Sequence, residues 1–187
     1  MMLDEIQTGI GRTGKFLAFQ HNNIIPDVCT LAKALGNGVP IGACLARGKA
    51  AHLLTAGNHG STFGGNPLAC SAALAVLATL DAENLIELAR QKGQAICDGF
   101  NERLQGNKHI VDIRNKGLMI GIELDSPCAE LVKSALQQHL LINVTNETTI
   151  RLLPPLIINE QQIKLLVETL SALIIEYTEK TAQETLS

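Results

Sequence analysis

The sequence predicts an α/β chain in two parts, a glycine-rich, loop-bearing part over residues 1–85 and a small α+β domain over residues 86–187. Three observations carry this reading. Short apolar runs at 28–32 and 41–46 are bounded by Pro and Gly and have strand length. Two long helical patterns follow at 66–80 and 85–104. Beyond residue 106, short strand-like and helix-like segments alternate.

Taken in order, Leu3-Asp4-Glu5 reads as the end of a strand, and residues 9–14 as a glycine-rich loop. An irregular stretch runs to Pro26-Asp27. The strands 28–32 and 41–46 are separated by the turn Gly36-Asn37-Gly38, and 49–54 suggests a short helix. Residues 57–65 form a second flexible loop. Asn66 followed by Pro67 is a cap and first-turn pair opening a helix to about Leu80. Its many alanines imply close packing against a neighbouring backbone.

The next helix places Ala89, Gly93, Ile96, Phe100 and Leu104 on one face, with Gly106 just past its end. Strands are expected at 110–113 and 118–124, joined through Asn115-Lys116-Gly117. A helix at 129–139 and strands at 140–144 and 149–153 come next. Asn159 with Gln162 forms a capping box for a last amphipathic helix reaching about Tyr177.

Composition narrows the function classes. Apolar residues make up 46% and charged residues 18%, a globular rather than disordered profile. The net charge of −3, with Lys and Arg scattered, argues against a nucleic-acid surface. Cys29, Cys44, Cys70, Cys97 and Cys128 are widely spaced and odd in number, so neither a disulfide framework nor a zinc site is expected; reduced thiols in the cytoplasm fit better. No metal ligands are assigned. The start lacks a signal-peptide pattern. Residues 61–80 carry no charge, but Asn66, Pro67 and two glycines interrupt them, and 68–80 is too short to span a bilayer.

Gly9-Ile10-Gly11-Arg12-Thr13-Gly14 matches the dinucleotide-binding glycine pattern, with Asp27 at a plausible distance for a ribose contact. That site requires a helix opening at the third glycine. Lys15-Phe16-Leu17-Ala18-Phe19-Gln20-His21-Asn22-Asn23 is a poor helix, so the reading is set aside.

A different constellation uses more of the chain. Asp4-Glu5-Ile6-Gln7 is an acidic strand end. Lys33 lies among apolar and small residues, which predicts a desolvated amine suited to imine chemistry, although a surface lysine at a strand end is the plainer alternative. Gly57 to Gly65 offers backbone N–H groups and hydroxyls before a helix N-terminus, an arrangement that favours phosphate unless the loop is a simple connector. A carboxylate, a buried lysine and a phosphate loop are the minimum set for pyridoxal 5'-phosphate.

The stretch Asp4-Glu5-Ile6-Gln7-Thr8-Gly9-Ile10-Gly11-Arg12-Thr13-Gly14 closely resembles a segment of the class III aminotransferases. So do residues 31–41, around Lys33, and Gly60-Ser61-Thr62-Phe63-Gly64-Gly65-Asn66-Pro67-Leu68-Ala69. Arg151-Leu152-Leu153-Pro154-Pro155-Leu156 looks most like the acetylornithine branch; the ornithine, succinylornithine and 4-aminobutyrate branches are near neighbours. The resemblance implies the pyridoxal-phosphate transferase fold (fold type I), with 1–85 belonging to its large domain and 86–187 forming its small one.

It also implies roles. Asp4, Glu5, Ile6 and Gln7 belong to the cofactor site: Asp4 pairs with the pyridine nitrogen, Ile6 packs on the ring and Gln7 bonds its hydroxyl. Lys33 is the catalytic, cofactor-carrying lysine. Thr62 contacts the phosphate across a homodimer interface, Ser61 lies near the amino donor, and Arg151 grips a substrate carboxylate. The plainer alternatives are a loop cap for Asp4, core for Ile6, a solvated side chain for Gln7 and a surface charge for Arg151. Arg12 and His59 are read as structural.

The implied reaction passes an amino group from N-acetylornithine to 2-oxoglutarate, giving glutamate, in cytoplasmic arginine biosynthesis. Family members are about twice as long. The expectation is therefore a fragment, inactive unless a separate N-terminal half completes it, with a noncatalytic remnant as the competing reading.

Overall fold

The computed structural model describes residues 1–185 and separates into two compact units, Met1–Ala89 and Arg90–Ser187. The first unit holds a three-stranded sheet of β1 (Met2–Asp4), β2 (Val28–Leu31) and β3 (Ala43–Ala46), in that spatial order. β1 and β2 run parallel, with Asp4 opposite Thr30; β2 and β3 run antiparallel. Short 3-10 turns occur at Ala18–His21, Lys33–Leu35 and Gly48–His52. No α-helix opens at Gly14, since bends lead to the turn at Ala18–His21; the dinucleotide geometry is not formed.

The helix α1 (Pro67–Ala82) starts as its sequence dictates. The Asn66 side chain accepts from the Ala69 N–H at 3.0 Å, and Pro67 occupies the first turn, where no N–H partner is needed. Ala69, Ala73 and Leu80 are buried, and the helix approaches the Lys33–Leu35 turn. The alanine-rich pattern implied close packing against a neighbouring backbone; Ala69 and Ala73 are buried, while Leu68 (73% exposed) and Leu74 (67%) face outward within this unit.

The helix α2 (Leu85–Arg103) begins in the first unit and continues into the second. In the second unit, its Ile96 and Phe100 are fully buried. Gly93 is required there by contact: a Cβ would lie 1.8 Å from the Gly117 carbonyl oxygen.

The second unit is built on an antiparallel sheet of β4 (Ile110–Lys116), β5 (Met119–Leu124), β6 (Asn143–Thr145) and β7 (Thr149–Leu152), in the order β4-β5-β7-β6. The expected turn at 115–117 is displaced. Lys116 pairs with Met119, so Gly117 and Leu118 form a two-residue turn, and the φ of +53° at Gly117 suits a glycine at its first position. β5 alternates strictly, with Ile120, Ile122 and Leu124 buried and Met119, Gly121 and Glu123 on the opposite face.

α3 (Glu130–Gln137) and α4 (Glu160–Thr185) complete the unit and contact one another. The capping box opens α4: Gln162 N–H donates to Asn159 Oδ1 at 2.9 Å, and Asn159 N–H to Gln162 Oε1 at 3.0 Å. This helix runs past Tyr177, whose hydroxyl donates to the Pro127 carbonyl at 2.6 Å, because no Gly or Pro follows to stop it. No single described helix is long and apolar enough to cross a membrane.

Candidate functional site

The first unit places Asp4 and Lys33 at, or just beyond, the carboxyl ends of two parallel strands. Asp4 closes β1, and Thr30 beside it on β2 precedes Lys33 by one short step. Open α/β sheets bind ligands outside the carboxyl ends of their strands, where the chain departs and leaves a crevice.

Asp4 is exposed, and its Oδ1 accepts from the Ile6 N–H at 2.9 Å and from the Thr30 hydroxyl at 3.4 Å. One carboxylate oxygen thus fixes the loop, and Oδ2 has no hydrogen-bond partner among the described residues. Ile6 and Gln7 follow in the turn, both half-buried, and the Gln7 side chain makes no hydrogen bond among the described residues.

Glu5 does something different from the expected cofactor contact. It is 3% exposed, and its carboxylate accepts from the Thr8 hydroxyl at 2.5 Å, the Ala18 N–H at 2.9 Å and the Phe19 N–H at 2.8 Å. Strand alternation turns Glu5 inward as Asp4 points out, and a buried carboxylate must satisfy its lone pairs internally. Glu5 therefore braces the 8–19 loop. Its charge, after burial and ahead of that of Asp4, pushes the nearby Cys29 thiol up.

Lys33 also departs from expectation. Its side chain is exposed, not desolvated, because no element of this unit covers it. Its backbone has φ +45°, in the left-handed region that costs an L-residue about 1–2 kcal/mol. The turn holds it there: Leu35 N–H donates to the Ala32 carbonyl at 3.0 Å, and Gly36 N–H to the Lys33 carbonyl at 3.1 Å. Gly36 cannot carry a side chain, since a Cβ would lie 2.0 Å from the Val39 carbonyl oxygen. Burial lowers the pKa of Arg12, half-buried in the glycine loop.

Ser61 and Thr62 lie in the exposed loop before α1. Ser61 Oγ accepts from the Gly64 N–H at 3.1 Å, a local turn that sets the approach to Asn66. Among the described residues the Thr62 hydroxyl makes no hydrogen bond, and no hydrogen bond ties this loop to Lys33. Arg151 belongs to the second unit, half-buried on β7 opposite Gly121, with its Nε buried and without a hydrogen-bond partner among the described residues.

The donor set suits pyridoxal 5'-phosphate in kind: a carboxylate with a free oxygen, an amine on a strained turn, an amide and a hydroxyl. Two clefts lie elsewhere. One of about 380 Å³ is lined by Arg103, Asn107 and Thr178, and another of about 170 Å³ by Leu17, Cys29 and Leu45. Neither includes an expected site residue; the chemistry of the strand ends outweighs cleft size in choosing the site. Thr30 was missed in the sequence, where nothing marks it as the neighbour of Asp4.

The sequence profile of the family described as Aminotransferase class-III matches residues 1–174. The acetylornithine aminotransferase of Nitrosomonas europaea is 52% identical over 179 residues, covering 96% of this chain and 46% of its own length. An ornithine aminotransferase from Toxoplasma gondii, whose structure shows partial occupancy of pyridoxal phosphate (PLP) at the active site, superposes with a TM-score of 0.88 at 34% identity, covering 96% of this chain and 44% of that one. The acetylornithine aminotransferase of Elizabethkingia anophelis gives 0.84 at 39% identity, with coverages of 94% and 45%. The chain thus spans about half the length of the curated relatives it matches.

Proposed function

This chain belongs to the class III aminotransferases, and on that footing we propose that it forms part of a pyridoxal 5'-phosphate-dependent transaminase acting on N-acetylornithine and 2-oxoglutarate. The observation that carries the proposal is the placing of Asp4 and Lys33 at the carboxyl ends of adjoining parallel strands. Relatives named acetylornithine aminotransferase, such as that of Nitrosomonas europaea at 52% identity, support the acetylated donor, with ornithine, succinylornithine and 4-aminobutyrate as the alternative donors.

When bound, the cofactor supplies an electron-withdrawing pyridinium ring that stabilises a carbanion beside the amino group. The chain's own residues do the rest. Asp4 holds a proton at the ring nitrogen through its free oxygen, while its other oxygen keeps the loop in register. Gln7 orients the ring by its amide, and Ile6 offers an apolar face. Lys33 would anchor the group, and its Nζ would hold and move the proton at the substrate carbon. Ser61 faces the donor, Thr62 donates its hydroxyl to the phosphate across a homodimer interface, and Arg151 takes a substrate carboxylate. Glu5 stays a brace.

The exposed Lys33 and Thr62 support a site completed by further polypeptide, from a longer chain or a separate N-terminal half. The test is an absorbance spectrum of the purified chain with pyridoxal 5'-phosphate, then borohydride reduction and peptide mapping. Label concentrated on Lys33 supports the reading, and amino-donor assays follow. Label scattered over surface lysines favours the noncatalytic alternative.

A further inference from the structure

On the open face of the four-stranded sheet, Glu123 stands between two arginines. The register sets Gly121 opposite Arg114 on β4 and opposite Arg151 on β7. Glu123 lies two residues along β5, on the same face, and is the diagonal neighbour of both. Diagonal partners in a sheet are roughly 7–8 Å apart, within reach of a glutamate and an arginine.

Glu123 bonds to only one of them. Arg114 Nη1 donates to Glu123 Oε2 at 2.5 Å and to Asp112 Oδ2 at 2.9 Å. Arg151 makes no side-chain hydrogen bond or ion pair among the described residues, and its Nε is buried. The Arg114 stem lies beside Gly121 of β5, where a Cβ would meet Arg114 Cγ and Nε at 3.7 Å, in ordinary van der Waals contact. Asp112 then shares the Arg114 guanidinium from the far side, directly opposite Glu123 in the register.

We propose that Arg114 is a positioning residue for Arg151: by holding Glu123 in this bridge, it keeps the nearest carboxylate off Arg151 and leaves Arg151 to a carboxylate ligand. The inference rests on the reading of Arg151 as a carboxylate-binding residue. Without Arg114, Glu123 loses its partner and Arg151 becomes the guanidinium within its reach. The unpaired donor is then satisfied from within the sheet.

The test follows the arginine Nε–Hε cross-peaks of the chain by nitrogen-15 NMR, with Arg151→Lys assigning its signal and 2-oxoglutarate as probe. Arg114→Met should move the ligand-free Arg151 cross-peak and weaken 2-oxoglutarate binding there about two- to fivefold, the range expected for an exposed ion pair. Adding Glu123→Gln should return both to wild-type values, and Glu123→Gln alone should leave the cross-peak in place. An Arg151 cross-peak unmoved by Arg114→Met, or a shift that persists in the double variant, overturns the proposal. If 2-oxoglutarate leaves the wild-type cross-peak unmoved, the carboxylate reading of Arg151 fails. The ligand-free comparison still decides whether Arg114 restrains Glu123.

Discussion

Asp4 and Thr30 face one another across the parallel pair of β1 and β2, and the Thr30 hydroxyl donates to Asp4 Oδ1 at 3.4 Å. The same oxygen accepts from the Ile6 N–H at 2.9 Å, so the aspartate serves its own loop with one oxygen and has the other to offer. Asp4→Asn keeps the Oδ1 acceptor and should leave stability nearly unchanged. It should weaken pyridoxal 5'-phosphate retention about tenfold or more, because an amide cannot hold a proton on the ring nitrogen. Equilibrium dialysis alongside urea unfolding separates the two effects.

Lys33 combines a chemical role with a strained backbone. Lys33→Ala and Lys33→Gly should both abolish borohydride-fixed label at this site. The glycine variant should be the more stable by about 1 kcal/mol, since φ +45° carries no Cβ penalty for glycine. Equal stability of the two would mean that the turn relaxes when the lysine is removed.

Glu5→Ala should destabilise the first unit by about 2 kcal/mol, because it removes a buried charged acceptor from two half-buried amides and a hydroxyl. Urea titration at constant slope measures the loss. A change under about 0.5 kcal/mol would show that water replaces the carboxylate and that Glu5 is no brace.

Gly93→Ala sets a methyl group against the Gly117 carbonyl oxygen and should cost about 3 kcal/mol or unfold the second unit. Gly121→Ala is the control, since its Cβ would meet neighbours no nearer than 3.5 Å. Circular dichroism melts of the pair distinguish overpacking from a general intolerance of side chains in this unit.

Burial, then the charges of Asp98 and Asp112, push the Cys97 thiol from 9.0 up to about 11. The folded state keeps this proton longer than the unfolded chain. The contribution of the buried neutral thiol is complete below pH 9 and is lost as pH rises to about 11. Cys97→Ser or Cys97→Ala should flatten that alkaline decline, which has a limiting slope of about 1.4 kcal/mol per pH unit. Denaturant melts between pH 8 and 11 provide the measurement.

Much of the architecture was legible because it depends on residues close together in the chain. Asn66-Pro67 and Asn159 with Gln162 announce their helices through bonds spanning three residues. The alternation of residues 119–124 fixes which face of β5 is buried. The hairpin turn was misplaced because Asn115, Lys116 and Gly117 all suit turns, and only the pairing of Lys116 with Met119 selects Gly117-Leu118. For α4, the apolar pattern gives the buried face, but nothing local marks the end.

The candidate site was legible as a set of residue types and not as an arrangement. Sequence by itself determined that Asp4 and Lys33 stand at strand ends, and Gln7 and Thr62 in or beside glycine-rich loops, each with a polar group to offer. Only the tertiary structure decided that Glu5 turns inward to the amides of Ala18 and Phe19, that Lys33 sits exposed at φ +45°, and that Glu123 pairs with Arg114 while the Arg151 side chain finds no partner among the described residues. Caps and periodicity are fixed by bonds between near neighbours. The partner a charged side chain takes is fixed by strand register and burial, which join residues far apart in the chain.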